Sequence, residues 1–153
     1  MVGAPGETRL CLDVMLGGLR APLRMMGYDT AYAMDRGIEA DDEIVACAQR
    51  EERLLLTRDV AVARAVDRSL LLTEIDPTDQ LGELAAAGFD LSLDGPSRCS
   101  RCNGSLQRVE EGPVPDAAPD PTDERVWQCR DCGQYYWRGS HWENLRERIE
   151  GLD

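Results

Sequence analysis

Two C-x-x-C pairs, Cys99-Ser-Arg-Cys102 and Cys129-Arg-Asp-Cys132, constrain this chain more than any other feature. They offer four soft thiolates, and Zn²⁺ takes four such ligands in a tetrahedron. Each C-x-x-C turn puts both sulfurs on one side of a knuckle. The glycine that closely follows each pair, Gly104 or Gly133, is expected to take φ > 0 so that amides turn toward the sulfurs. With all four positions filled by protein, the expected site is structural and holds a ribbon too short to build its own core. A redox C-x-x-C and structural disulfides are the competing readings. Two evenly built pairs, in a chain without a signal-peptide pattern, favour zinc. The 26 residues between the pairs exceed the usual ~15–20. The surplus is assigned to a loop, Glu110 to Arg125, rich in Pro, Asp and Glu.

The rest of the composition divides the chain in two. The first ~95 of 153 residues carry most of the Leu, Ala, Val and Ile; the remainder holds four of six Cys, all three Trp and most of the Pro. A boundary is expected near Asp94-Gly95-Pro96. Formal net charge is −12, and every basic side chain except the one histidine is arginine, with no lysine. This is the signature of an internally salty or high-GC organism, and it argues against broad, charge-driven nucleic-acid binding. It leaves metal-mediated binding at one site open. No apolar run reaches the ~20 residues that span a bilayer. Cys11 and Cys47 lie among apolar residues and read as buried small hydrophobes, which places the chain in a reducing cytoplasm.

Along the chain, apolar runs alternate with helical patterns. Arg9–Val14 reads as a strand with Asp13 near its carboxyl end. Met15–Gly27 reads as a helix, with Gly17, Gly18 and Pro22 weakening its first turns. Tyr28–Ala33 is a second strand, Met34–Ala40 a loop, and Asp41–Glu52 a helix with three acids in its first turn. Arg53–Thr57 and Ser69–Ile75 are further strands, separated by a short helix over Val60–Asp67. A fourth helix opens at Asp76-Pro77 and stops at Gly88, and Trp142–Ile149 reads as a closing helix with Trp142, Leu145 and Ile149 on its apolar side. Such alternation specifies an α/β fold with a parallel sheet covered on both faces, whose ligand sits at the carboxyl ends of the strands.

Asp13, Asp59 and the pair Asp41–Asp42 all fall near those ends. Carboxylates converging on one crevice cannot all stay ionised without compensation, and Mg²⁺ or Mn²⁺ supplies it through oxygen ligands. Each acid also has an ordinary reading. Asp41 and Asp42 suit a helix N-terminus, and Asp59 suits an N-cap. Asp13, between Leu12 and Val14 in a buried strand, needs a partner in either case.

The order of motifs resembles a known family. Asp-Val-Met-Leu-Gly-Gly-Leu (13–19) through Gly-Tyr-Asp-Thr (27–30), Asp-Asp-Glu-Ile (41–44) and Leu-Leu-Leu-Thr-Arg-Asp (54–59) are similar to the Mut-seven C-terminal family. So are the two cysteine knuckles, Trp-Gln-Cys-Arg-Asp-Cys-Gly-Gln-Tyr-Tyr-Trp (127–137) among them, and Gly-Ser-His-Trp-Glu (139–143). The resemblance covers about residues 9–148. It implies a PIN-like ribonuclease domain over 9–94 and a zinc ribbon with a closing helix over 95–148. It further implies hydrolysis of RNA, expected to be single-stranded, with Mg²⁺ or Mn²⁺ held by Asp13, Asp41 (with Asp42 adjacent) and Asp59. Cys99, Cys102, Cys129 and Cys132 would then be the zinc ligands.

Other residues are open to two readings. Arg20 and Arg24, four apart on one helix face, and Arg58 are candidate phosphate contacts, or they pair with nearby acids. Trp127, Tyr135, Tyr136, Trp137 and Trp142 either pack the ribbon against the sheet or stack on bases. His141, the only histidine, is a packing residue or a polar substrate contact. The activity that the resemblance implies is that of a metal-dependent endoribonuclease; the alternative expectation is an inactive PIN-like module that binds RNA or protein.

Overall fold

The computed structural model describes residues 4–93 and 98–152. The expected boundary at Asp94-Gly95-Pro96 lies outside them. Four short strands, β1 (Leu10–Leu12), β2 (Thr30–Tyr32), β3 (Leu54–Thr57) and β4 (Ser69–Leu71), form a parallel sheet in the order β2-β1-β3-β4. The helices are α1 (Arg20–Met25), α2 (Asp41–Arg50), α3 (Val60–Ala65), α4 (Pro77–Ala86) and α5 (Ser140–Glu150). A second, antiparallel sheet joins β5 (Leu106–Val109), β6 (Val126–Cys129) and β7 (Tyr135–Trp137). The fold class is therefore the expected one, an α/β sheet with a small cysteine-bearing ribbon. The loop from 110 to 125 connects β5 to β6.

Strand alternation sorts the apolar side chains into two layers. Leu10, Leu12, Leu54 and Leu56 pack with Leu23 of α1, with Met26 that caps it, and with Leu81 and Leu84 of α4. Cys11 and Leu55 point the other way, onto Ile44 and Ala48 of α2 and Val62 of α3. Each fully buried leucine contributes about 1.5–3 kcal/mol. Leu145 of α5 belongs to the first layer, with Ile149 packed against it. The last helix therefore returns to the large core instead of only closing the ribbon.

The first helical stretch departs from the expected Met15–Gly27 helix. Val14–Leu19 forms 3₁₀ turns broken at Leu16, and the α-helix begins only at Arg20. Gly17 and Gly18 mark close approaches. A Cβ at Gly17 would lie 2.7 Å from the Tyr32 hydroxyl, and one at Gly18 2.4 Å from Pro77 Cγ. Pro22 falls in the first turn of α1, where its missing N–H removes no helical bond. The expected loop after β2 begins with a 3₁₀ turn, Ala33–Arg36. The fourth strand stops at Leu71 instead of Ile75, because the Thr73 and Glu74 amides donate to the Glu83 carboxylate of α4. Among the described residues, no helix is long and apolar enough to cross a membrane.

Strand β2 is an edge, and edge strands leave unpaired backbone groups. Here side chains satisfy those of Thr30. The Thr30 N–H donates to Asn103 Oδ1 at 2.9 Å, and the Thr30 carbonyl accepts from Arg24 Nε and Nη2 at 3.0 and 2.8 Å. Asn103 lies in the first cysteine knuckle, so the ribbon covers the edge of the sheet.

Candidate functional site

The four knuckle cysteines converge, with all their sulfurs within 4.8 Å of one another. Cys99 and Cys132 Sγ are 3.6 Å apart, and Cys102 and Cys129 Sγ are 3.4 Å apart. Zn–S bonds of ~2.3 Å in a tetrahedron place sulfurs ~3.8 Å apart, so the set fits zinc. Burial pushes the Cys99 thiol up, but the Tyr136 hydroxyl and the Cys102 and Arg101 amides outweigh it and bring the thiol down to about 7. Cys102 moves up to about 12 through burial, with the neighbouring sulfurs adding to the effect. Four thiolates this close need a cation to ionise together.

The knuckle geometry corrects one expectation. Gly133 has φ +80°, as anticipated, and the Asp131 and Cys132 amides donate to Cys129 Sγ at 3.4 Å. In the first knuckle the left-handed residue is Asn103, at φ +73°, not Gly104. Gly104 is required for space: a Cβ there would lie 2.9 Å from Cys129 Sγ and 2.5 Å from Asp131 Oδ2.

The knuckle is bound to the sheet through buried and half-buried polar side chains. Arg24, only 2% exposed, donates to the Ser100 carbonyl at 3.1 Å as well as to Thr30. Asn103 Nδ2 donates to Asp29 Oδ1 at 2.7 Å, and Arg53 donates to the same oxygen at 2.8 Å. Burial would raise the Asp29 carboxyl, but these donors outweigh it and hold it below its ordinary value.

Asp13 and Asp59 lie at the carboxyl edge of the large sheet, just past β1 and β3. The chain leaves β1 toward β2 on one side and later places β3 on the other, so β1 and β3 flank a topological switch point. Asp13 follows β1 and is 4% exposed. Its Oδ1 accepts from the Val14 N–H at 2.7 Å, capping the 3₁₀ turn, and its Oδ2 accepts from the Thr57 hydroxyl at 2.6 Å. Thr57 Oγ1 in turn accepts the Asp59 N–H at 3.0 Å. Asp13 and Asp59 thus share one rim, joined through Thr57. Asp59 caps α3 through Oδ1 alone, which accepts from the Ala61 and Val62 amides at 2.8 and 3.3 Å. Among the described residues its Oδ2 accepts no hydrogen bond. Asp41 and Asp42 open α2 and are exposed, and Asp42 Oδ1 accepts from the Glu43 N–H. Among the described residues, no three of these acids reach the mutual 4.8 Å spacing of the cysteines.

The arginines divide. Arg20 donates to Asp35 Oδ1 at 2.5 Å and lies over the Tyr32 ring. Arg24 is committed to Thr30, Ser100 and Asp35, so it is a buried strut and not a surface phosphate contact. Arg58 is half-buried beside Asp59, and its Nε has no partner among the described residues. His141 is exposed in the first turn of α5. Sequence reasoning missed Thr57, Asp35 and Asn103. The polar end of an otherwise apolar Leu-Leu-Leu-Thr run marks Thr57, and an asparagine between a knuckle cysteine and a glycine marks a left-handed turn.

No curated protein and no solved structure matches the chain. A family model described as the Mut7-C RNAse domain matches residues 8–149, from the residues just before β1 almost to the end of α5. With both the sheet and the cysteine cluster inside that span, the chain belongs to the Mut7-C RNAse domain family.

Proposed function

We propose that this chain is a metal-dependent endoribonuclease that hydrolyses phosphodiesters in single-stranded RNA. The observation that carries the reading is the Asp13–Thr57–Asp59 hydrogen-bond chain at the β1/β3 switch point. Asp13, Asp59 and Asp41, with Asp42 beside it, would hold Mg²⁺ or Mn²⁺. The donor set is all carboxylate oxygen, and the open Oδ2 of Asp59 suits a hard cation. When bound, such a cation polarises the phosphodiester and lowers the pKa of an attacking water.

The chain's own residues do the rest. Thr57 and the Val14 amide fix both oxygens of Asp13, so the carboxylate keeps one orientation. The α3 cap holds Asp59 through Oδ1 and leaves Oδ2 open. Arg58, half-buried and next to Asp59 in the chain, would offer its planar guanidinium to the substrate phosphate. Arg20 stands on α1 as a second phosphate contact, balanced by Asp35 until RNA arrives. The four cysteines hold structural zinc. A lysine-free chain of net charge −12 repels RNA at low salt and suits a salt-rich cytoplasm, where screening shortens that repulsion.

The test is purified protein on labelled single-stranded RNA with Mn²⁺ at high ionic strength, beside Asp13→Asn. Cleavage that disappears in the variant, with zinc content unchanged, supports the reading. RNA bound without cleavage by the unaltered chain overturns it in favour of an inactive binding module.

A further inference from the structure

A cleft of about 620 Å³ opens between α1, the first cysteine knuckle, β7 and α5, within the ~300–1,000 Å³ range of small-ligand sites. The proposed chemistry does not use it. Its walls include Pro22, Arg101, Trp137, His141, Trp142 and Arg148. Acidic residues make up 29 of the chain's 153, yet none lines this cleft. Two arginines and the only histidine do. Neither Arg101 nor Arg148 forms an ion pair among the described residues. Arg101 Nη1 only reaches Gln134 Oε1 at 3.3 Å, and Arg148 is positioned by Nε donating to Thr78 Oγ1 at 2.8 Å. The aromatic wall is fixed as well. Gly139 presses against the Trp137 indole, leaving no room for a Cβ, which would lie 2.8 Å from Nε1. Trp142 is 8% exposed, and its indole N–H has no partner among the described residues.

Flat aromatic walls, guanidinium groups free of carboxylate partners and no acid are what an unpaired base with its flanking phosphates requires. We propose that this cleft takes one unpaired nucleobase of RNA, stacked on Trp137, with Arg101 and Arg148 meeting the adjacent phosphates. The proposal rests on the reading that RNA is the substrate, and it gives the ribbon the task of holding the strand away from the acid rim. A paired base cannot enter, so the cleft selects single strands.

The test is binding of a fluorescent decauridine, and of the same strand annealed to its complement, to the full zinc-loaded chain without added Mg²⁺ or Mn²⁺. Base–aromatic stacking of ~1–3 kcal/mol predicts that Trp137→Ala weakens single-strand binding by at least about fivefold. Trp137→Phe keeps a stacking face and guards against misfolding. It should retain most of the affinity while losing part of the tryptophan quenching that unlabelled decauridine produces. Arg101→Gln, an exposed change, should lower the slope of log affinity against log salt by about 0.7. RNA bound or cleaved equally well by the chain and all three variants overturns the cleft and leaves the ribonuclease reading standing. Equal affinity for the duplex overturns it too. If the unaltered chain neither binds nor cleaves RNA, the ribonuclease reading itself fails and takes the cleft with it.

Discussion

Thr57 donates its hydroxyl to Asp13 Oδ2 at 2.6 Å across the β1–β3 ladder. A buried carboxylate beside a parallel sheet needs its oxygens satisfied, and this bond supplies one of two donors. Thr57→Val keeps the shape and removes the donor. The expected cost is about 1–3 kcal/mol in urea unfolding, with a larger loss in RNA cleavage than in RNA binding. Thr57→Ser should restore both, because it returns the hydroxyl. A Val variant as active as the parent would remove Thr57 from the site.

The Asn103 side chain spans two parts of the molecule, accepting from the Thr30 N–H and donating to Asp29. Asn103→Ala leaves an edge-strand amide without a partner and puts alanine at φ +73°. A loss of about 1–3 kcal/mol is expected, with faster hydrogen exchange at the Thr30 amide and unchanged zinc content. Asn103→Gly relieves the backbone strain but not the lost bonds, so it should recover only part of the difference. Full recovery by glycine would mean that the bonds to Thr30 and Asp29 contribute nothing.

The sheet was legible because its strands are short leucine runs between helical patterns, and burial on both faces leaves such runs no other use. The cysteine cluster was legible because spacing alone brings four thiols together. Long-range side-chain pairing was not. Nothing local in Leu-Arg-Met (23–25) shows that Arg24 is buried against a knuckle carbonyl from Ser100. Likewise Thr73 and Glu74 read as strand until Glu83, ten and nine residues on, takes their amides. Among the acids, a strand end placed Asp13 and Asp59 on one rim, whereas the hydroxyl that links them belongs to a residue read only as part of a strand.

Zinc should stabilise more than the ribbon. Its knuckle supplies Ser100 and Asn103 to the large sheet, so chelation should loosen β2 together with β5–β7. The expected outcome is a lower thermal midpoint and loss of exchange protection at Thr30 as well as in the ribbon. Gly104→Ala tests the packing around the metal, because the added Cβ would lie 2.9 Å from Cys129 Sγ. Competition with a chromophoric chelator should show weakened zinc affinity. Protection at Thr30 that survives complete zinc removal would show that the two parts are independent.

Acid should weaken the fold through Glu51 and Asp29. Glu51 is held down to about 2, chiefly by the hydrogen bond from Arg36, with Arg53 adding to it, against an ordinary value of 4.5. Asp29 is also depressed, so both groups have the same sign. A carboxylate whose folded pKa is lowered contributes its full stability above its unfolded value and loses it as pH falls toward the folded one. For Glu51 that window runs from about 4.5 down to about 2. Arg36→Gln removes the leading donor and raises the Glu51 pKa. The stability gap between the parent and this variant should be largest above pH 4.5 and close as the pH approaches 2. Zinc release on thiol protonation affects both proteins alike, so the gap isolates the carboxylate. A gap that stays constant through the acid range would mean that Arg36 acts by packing and not by holding Glu51 ionised.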